Sequence, residues 1–265
     1  MAFVVHGGAG KGKRDEKALD VLLKAAEIGL DYSLKGSTVD AVVEALYYVE
    51  ESGLFNAGKG SVSNDAGFVE MDAGIFRGRD RAAGAVANLR EGSAIRKALE
   101  VLNDGRHVLI SYGGIVKKLG TGSEKLETIG AVSVTKDGDA SAAASTGGIR
   151  GKRAGRIGDS AIPGAGFYAL KEIGGTALTG IGEQNMRCLT AYRIVEKMKT
   201  NDPLKAIKTV FADVKGEIGQ LNQGAIAADS RLRVAAYTTE EAMPVCLVKK
   251  GIRKCSFELG EGILL

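Results

Sequence analysis

The sequence predicts an α+β fold in which mainly antiparallel sheets are stacked and covered on the outside by helices. Several β-type runs follow one another with only short turns between them, which is typical of antiparallel pairing. The helical segments come in pairs with the strands grouped between them, whereas a doubly wound fold would alternate strand and helix. The chain has 265 residues, which is enough for one large domain or two small ones and for a sizeable core.

The first half begins with a short apolar run that leads into the glycine loop His6-Gly-Gly-Ala-Gly10. Apolar residues at helical spacing follow, and Ser37 or Thr38 can cap a second helix. Residues 54–58 are interpreted as a loop. The predicted elements are, in order, a strand at 3–5, helices at 16–32 and 37–51, strands at 61–63, 68–76 and 82–89, and a helix at 93–102.

The second half again consists of predicted strands and helices, and it follows a polar, glycine-interrupted connection at 104–127. Two β-type runs flank the turn Lys136-Asp-Gly-Asp139, which indicates a hairpin that opens into a polar loop. The predicted elements are strands at 128–134, 140–145 and 176–179, helices at 183–198 and 203–217, and strands at 224–229, 232–238, 244–249 and 252–258.

The composition excludes several classes of protein. The net charge is +4 and there is no Trp, with 7 Tyr and 7 Phe, so a basic face with stacking aromatics for nucleic acid is not expected. No signal peptide or membrane-spanning run is visible, which predicts a cytoplasmic protein without a membrane partner. Cys188, Cys246 and Cys255 lack zinc spacing, and three scattered cysteines fit a reducing compartment.

The glycine loop has three alternative interpretations. Gly7 and Gly12-Lys13 match a phosphate-binding pattern after a strand, which would make the chain a nucleotide-binding protein that uses the loop from Gly7 to Lys13. Against this, Arg14 stands where Ser or Thr should hold the magnesium ion. The loop is otherwise a tight turn at a sheet edge, or a place where glycines let the backbone approach a buried reacting group.

Thr128, at the start of a predicted strand, is a candidate nucleophile. The chain has only two histidines, which leaves little for a mechanism that depends on histidine, and His6 reads first as a structural residue. A threonine at a new N-terminus needs no histidine, because its own α-amine can act as the base. Thr146 ends the same hairpin, and Thr179 begins a further threonine-glycine loop whose N–H groups could face developing negative charge.

Arg156 and Asp159 lie three residues apart in a glycine-flanked loop. Together they could hold the carboxylate and the ammonium group of an amino acid, the arginine through a two-pronged contact. The alternative is a surface salt bridge, which would contribute little.

Five separated segments, in order, resemble the plant-type asparaginase and isoaspartyl peptidase family, a group of N-terminal nucleophile hydrolases related to glycosylasparaginase. They span nearly the whole chain: His6-Gly-Gly-Ala-Gly10, Leu54-Phe-Asn-Ala-Gly-Lys-Gly60, Thr128-Ile-Gly-Ala-Val132, Ser145-Thr-Gly-Gly148 with Arg156-Ile-Gly-Asp159, and Thr179-Gly-Ile-Gly-Glu183. The resemblance implies a four-layer αββα sandwich, the N-terminal nucleophile hydrolase fold. It also implies one domain over 1–265 that cuts itself into 1–127 and 128–265.

The resemblance assigns roles by position. Thr128 would attack the side-chain amide of L-asparagine or the isopeptide bond of a β-aspartyl dipeptide, with Thr146 polarising it and Asn56 aiding orientation or processing. Thr179 and Gly180 would form the oxyanion hole. Arg156 would grip the α-carboxylate, and Asp159 the α-amine with the Gly182 backbone beside it. The glycines Gly7, Gly8 and Gly10 would lie close to the nucleophile.

The resemblance also bears on cofactors and assembly. No organic cofactor is expected, but backbone carbonyls of one loop would bind a structural sodium ion; these belong to Val49, Glu50, Ser52, Phe55, Ala57 and Lys59. The family suggests a homodimer of processed or precursor chains.

Two features before Thr128 depart from the family pattern. The connection is short, and Glu127 stands where Gly or Asp is common. Slow processing, or an unprocessed family member that binds ligand without turnover, is therefore kept as an alternative.

Overall fold

The computed structural model describes residues 1–10, 15–113, 128–249 and 251–265. The helices of these residues are α1 (Glu16–Leu34), α2 (Thr38–Ser52), α3 (Ala94–Asp104), α4 (Gly182–Cys188), α5 (Thr190–Met198) and α6 (Pro203–Ile218). The strands are β1 (Ala2–His6), β2 (Met71–Arg77), β3 (Ala82–Leu89), β4 (Leu109–Ser111), β5 (Ile129–Val134), β6 (Ala140–Thr146), β7 (Phe167–Leu170), β8 (Gly174–Gly180), β9 (Gln223–Asp229), β10 (Val234–Thr238), β11 (Val245–Lys249), β12 (Ile252–Ser256) and β13 (Ile263–Leu264).

The strands form two sheets, so the predicted α+β class with mainly antiparallel sheets is confirmed. Within the described ranges, the larger sheet has the order β12-β11-β1-β5-β6-β2-β3-β4 and the smaller one has the order β13-β10-β9-β8-β7. All neighbours pair antiparallel except β3 and β4, which are parallel. The predicted hairpin is formed by β5 and β6, which places residue 128 opposite the end of β6.

Alternating side chains of the central strands enter different cores. Phe3 and Val5 of β1 pack with α1, α2 and α3 on one face of the larger sheet. Ala2 and Val4 point to the other face, where they join residues of the smaller sheet such as Ile226. The far face of the smaller sheet packs against α5 and α6. This period-2 alternation explains why strands buried on both faces read as continuous apolar runs.

Several predicted boundaries are corrected by the structure. The single helix at 183–198 is wrong, because Leu189 has a left-handed backbone with φ 48° and separates α4 from α5. The strand at 61–63 is also wrong, since only an isolated bridge joins Ser63 to Val69. The strands β4, β7 and β13 were not predicted; at 3, 4 and 2 residues they are too short to show alternation. The cap of α2 is confirmed as Ser37, whose Oγ accepts the Asp40 N–H.

Two of the three cysteines are joined, although the three scattered cysteines were interpreted as fitting a reducing compartment. Cys246 on β11 and Cys255 on β12 face each other directly in the strand register and form a disulfide. Cys188 is free. Hairpin pairing brings together two residues that the sequence separates by nine positions, and this pairing was not readable from cysteine spacing.

Replacing Cys255 by serine is expected to lower the free energy of unfolding by about 2–3 kcal/mol, because the disulfide restricts a short loop of the unfolded chain. Denaturant titration of the oxidised protein measures this change. Cys188→Ser is the matched control, since Cys188 has no disulfide partner. Equal unfolding midpoints for the wild type and Cys255→Ser would contradict the prediction.

In the part of the chain that the structure describes, none of the helices combines the length and the apolar character needed to span a bilayer.

Candidate active site

The β5–β6 hairpin brings two threonine hydroxyls together. Thr128 directly precedes β5, is 9% exposed, and its Oγ1 donates to the Oγ1 of Thr146 at 3.0 Å. Thr146 is the last residue of β6, and its Oγ1 also accepts the N–H of Gly148 at 2.9 Å. Both hydroxyls are thereby fixed on the ends of paired strands, so that the Thr128 oxygen has a defined direction.

Asn56 holds the turn that follows Thr146. Its main-chain carbonyl accepts the Gly147 N–H at 2.9 Å, and its Nδ2 donates to the Gly148 carbonyl at 2.6 Å. Its Oδ1 accepts the Val62 N–H at 3.0 Å. These bonds tie Asn56 to the turn beside Thr146.

Thr179 and Gly180 end β8 at the other sheet, which contacts β5. The buried Oγ1 of Thr179 accepts the Ala9 N–H at 3.3 Å. Gly180 has φ 119°, and a Cβ there would collide with the Asn222 carbonyl, so only glycine fits. The bond to Ala9 joins this strand end to the glycine loop after β1.

The N–H groups of the glycine loop are directed at protein acceptors. Those of residues 7 to 10 donate, in order, to the Pro244 carbonyl at 2.9 Å, His6 Nδ1 at 3.1 Å, Thr179 Oγ1 at 3.3 Å and the Ala242 carbonyl at 3.1 Å. A phosphate-binding loop would present such groups to its ligand, so this arrangement weighs against nucleotide binding. Gly12 and Lys13 lie outside the described residues.

Two glycines of the loop stand where a larger residue would not fit. A Cβ at Gly7 would enter the Phe55 ring, and Gly8 has φ 95°. Gly10 instead forms a bridge with Ala242. Glu127, the residue before the candidate nucleophile, lies outside the described residues.

His6 is buried against the candidate nucleophile. Burial lowers the pKa of His6 to about 3, and a hydrogen bond with the Thr128 backbone opposes the shift only in part. The ring is therefore neutral at ordinary pH, and its Nδ1 accepts the Gly8 N–H. A side chain at Gly130 would run into this imidazole. His6 is structural, as the sequence suggested, but it supports the main chain of Thr128.

Arg156 forms its ion pair with Glu183 of α4. Its Nε and Nη2 donate to the two carboxylate oxygens of Glu183 at 2.8 and 2.9 Å. The alternative of a pair between Arg156 and Asp159 is thus corrected. A Cβ at Gly182 would lie 2.6 Å from Asp159 Oδ1 and 3.1 Å from Arg156 Nη2, so glycine at this position keeps space between the two charged groups.

Asp159 is buried and its carboxylate is only partly compensated. Burial raises the pKa of Asp159 to about 6, while the Asn185 side chain and the Arg156 charge oppose that shift. Asn185 Nδ2 donates to Asp159 Oδ2 at 2.7 Å. A buried carboxylate beside a guanidinium provides complementary charges for a zwitterion.

Sequence reasoning missed Glu183 and Asn185 as parts of this cluster. Both lie in α4, one and three residues after Gly182. The polar residues in the first turn after the threonine-glycine segment were the available signal. Their partners are 26 and 27 positions away in the chain, which no local pattern reports.

In the loop proposed to hold sodium, several main-chain carbonyls accept hydrogen bonds from residues of the same loop. The carbonyls of Val49, Phe55 and Ala57 accept hydrogen bonds from Ser52, Ala57 and Gly60. A Cβ at Gly60 would collide with the Phe55 carbonyl and lie 2.9 Å from that of Gly53. Carbonyl oxygens therefore converge beside Gly60, and such oxygens suit a hard cation. Among the described residues, no group of three or more His, Cys, Asp or Glu side chains could hold a metal.

The side chain of Glu50 is engaged elsewhere. Burial raises the pKa of this carboxyl, which accepts the Ile95 N–H at 3.1 Å and the Ser145 hydroxyl at 2.6 Å. Lys59 forms a surface pair with Glu51 at 2.7 Å. In the sodium loop, Glu50 and Lys59 could therefore contribute only main-chain oxygens.

Comparison with known proteins identifies the family of this chain. A family model described as Asparaginase matches residues 1–119 and 115–255. A plant-type L-asparaginase of Pyrobaculum calidifontis is 37% identical, covering 91% of this chain and 94% of that protein. An isoaspartyl peptidase/L-asparaginase of Danio rerio is 33% identical (98% and 95%), and one of Xenopus laevis is 31% identical (90% and 89%). The chain belongs to the asparaginase family.

Proposed function

We propose that the chain is an amidohydrolase that cleaves the side-chain amide of L-asparagine, the isopeptide bond of β-aspartyl dipeptides, or both. The observation that carries this proposal is the Thr128–Thr146 hydroxyl pair, at 3.0 Å, in a chain of this family. The names of its relatives, L-asparaginase and isoaspartyl peptidase, support the substrate class. Both substrates present the same α-carboxylate and α-ammonium groups and differ only in the leaving group.

Thr128 becomes the N-terminal residue by cleavage after Glu127. Its Oγ1 attacks the Glu127 carbonyl carbon, the peptide C–N bond breaks, and the nitrogen takes up the hydroxyl proton. Water then hydrolyses the ester, which releases the Glu127 carboxylate and the free amine of Thr128. The products are the fragments 1–127 and 128–265, and the amine, with a pKa near 8, can serve as the base.

In the mature site the same hydroxyl attacks the substrate amide. The amine takes the Thr128 proton and passes it to the leaving nitrogen as the C–N bond breaks. Thr179 Oγ and the Gly180 N–H stabilise the oxyanion, a contribution of about 3–4 kcal/mol for a donor of this kind. Water then hydrolyses the aspartyl ester to aspartate.

Arg156 and Asp159 bind the amino-acid end of the substrate. Glu183 accepts hydrogen bonds from the Nε–H and from one Nη2–H of Arg156. Since arginine has five N–H donors, three remain for the α-carboxylate. Asp159 accepts from the α-ammonium, with the main chain of Gly182 beside it. This orientation presents the side-chain amide to Thr128.

The fold and assembly that accompany this function are a single four-layer αββα domain and a homodimer. One core lies between the larger sheet and α1, α2 and α3, one lies between the two sheets, and one lies between the smaller sheet and α5 and α6. This order of cores supports the order of the four layers. The loop at 49–59 is the proposed sodium site, held by its carbonyls.

Intact-mass measurement of the purified chain, followed by an assay with asparagine and a β-aspartyl dipeptide, tests the proposal. We expect two fragments, one of which begins at Thr128, and release of aspartate. A chain that stays whole and binds aspartate without turnover would establish the unprocessed alternative instead.

The pH dependence of kcat/KM is expected to show two acid limbs. The amine of Thr128 must be neutral, so activity falls below its pKa, near 8. Asp159 must be ionised, and since its pKa is raised to about 6, activity falls more steeply below that pH, by about a hundredfold per pH unit in total.

Calorimetric binding of L-aspartate measures the effect of Asp159 protonation separately, because binding does not require the neutral amine of Thr128. We expect affinity to weaken as the pH falls through about 6. Affinity that stays constant between pH 7 and 5 would rule out this role of Asp159.

A further inference from the structure

Asp72 is a buried carboxylate between the nucleophile pair and the substrate-binding loop. It lies on β2, at the irregular step between Met71 and Ala73, and it is fully buried. In the register of β2 with β6 it stands directly opposite Thr146. Its main chain is therefore fixed relative to the hydroxyl that polarises Thr128.

The two oxygens of Asp72 hold two separate main-chain segments. Oδ2 accepts the N–H of Gly158 at 2.8 Å, and Oδ1 accepts the N–H of Asn88 at 3.0 Å. Gly158 lies between Arg156 and Asp159 and precedes the short 3-10 helix Asp159–Ala161. Asp72 thus contacts the main chain of the segment that carries both substrate-binding charges.

The positive charges of Lys152 and Arg156 lie near this carboxylate. Burial raises the pKa of Asp72, and the nearby charges of Lys152 and Arg156 act against that shift. Lys152 is itself 5% exposed, and its Nζ donates to the Glu70 carbonyl at 2.6 Å. Because Asp72 is shielded from solvent, its 2.8 Å hydrogen bond from the Gly158 N–H ties this segment firmly to β2.

We propose that Asp72 is a positioning residue that sets Arg156 and Asp159 at the correct distance from the Thr128–Thr146 pair. The inference rests on the proposed function. One rigid strand residue faces Thr146 on one side and holds Gly158 on the other, so it couples the two halves of the site. Displacement of the substrate by about 1 Å can cost about a hundredfold in rate, and so this coupling matters to turnover.

The test compares Asp72→Asn with the wild type after processing. An asparagine presents one acceptor and one donor, so one of the two N–H groups loses its partner. We expect KM for L-asparagine and Kd for L-aspartate to rise about ten- to hundredfold, kcat to fall by up to about a hundredfold, and cleavage before Thr128 to stay intact.

Asp229→Asn is the matched control. Asp229 is also a buried aspartate that accepts two main-chain N–H groups, those of Arg231 and Arg233. It lies at the end of β9 remote from Gly180, since it pairs with Gly174. We expect its KM and Kd to match the wild type.

Each outcome decides the inference. An active wild type with unchanged KM and Kd in Asp72→Asn overturns the role of Asp72 alone, whereas an inactive wild type overturns the proposed function and this inference with it. Loss of cleavage in a folded Asp72→Asn protein would mean that Asp72 supports the nucleophile instead, which also overturns it. If Asp72→Asn does not fold, Asp72→Glu keeps the charge but shifts the oxygens, and it should show the same rise in KM.

Discussion

Thr128→Ala is expected to leave the chain uncut and to reduce amidase activity by about 10⁴-fold or more. The alanine removes the oxygen that attacks both the Glu127 carbonyl and the substrate, and neither neighbouring hydroxyl can replace it. Thr146 is held by the Gly148 N–H, and the Thr179 hydroxyl is tied to Ala9. Intact mass measures the loss of cleavage, and aspartate release measures the loss of activity.

Two control variants make the Thr128 result specific. Thr135→Ala removes a buried threonine hydroxyl just beyond the opposite end of β5, where it donates to the Asp139 carbonyl, and it should cleave and turn over normally. Thr128→Ser keeps a hydroxyl and should retain cleavage. Normal fragments or full activity in Thr128→Ala would remove Thr128 from the mechanism.

Arg156→Lys is expected to lower kcat/KM for L-asparagine by about 10²–10³-fold, mainly through KM. A lysine cannot bind Glu183 and the substrate α-carboxylate at the same time with defined geometry, because its ammonium is a single point charge. Two charge-assisted hydrogen bonds are lost, each worth about 1.5–3 kcal/mol. Steady-state kinetics and calorimetric binding of L-aspartate measure the change.

Arg193→Lys is the matched control for Arg156. Arg193 also makes a two-pronged contact with a glutamate: its Nη1 and Nη2 donate to Glu217 at 2.9 and 2.7 Å, on the surface between α5 and α6. It should leave both kcat and KM unaltered. If Arg156→Lys bound aspartate as tightly as the wild type, the α-carboxylate would have to be held by another group.

The sequence could predict those features of the fold that depend on residues close together in the chain. The hairpin of β5 and β6 and the cap at Ser37 depend on neighbouring residues, and they were predicted correctly. The break at Leu189 was not predictable, because a left-handed leucine is rare and has no local signature. The Cys246–Cys255 pair likewise depends on the register of two strands.

The candidate site divides in the same way. The threonines, Arg156 and Asp159 stand in recognisable segments, so their residue types were available to the sequence. The partners that tune them are not adjacent in the chain: Glu183 binds Arg156, Asn185 binds Asp159, and Asp72 holds Gly158. These pairings join segments that are too far apart in the sequence for helical or strand periodicity to reveal them.

By itself the sequence determined the fold class, the family and the residue types that could carry the chemistry, because patterns of polarity and short motifs are local. Only the tertiary structure decided the charge states and directions of those groups. Burial places the pKa of Asp159 near 6 and keeps His6 neutral, and strand pairing sets Thr128 against Thr146 at 3.0 Å. Desolvation and hydrogen-bond geometry depend on the surrounding atoms, which come together only when distant segments of the chain pack.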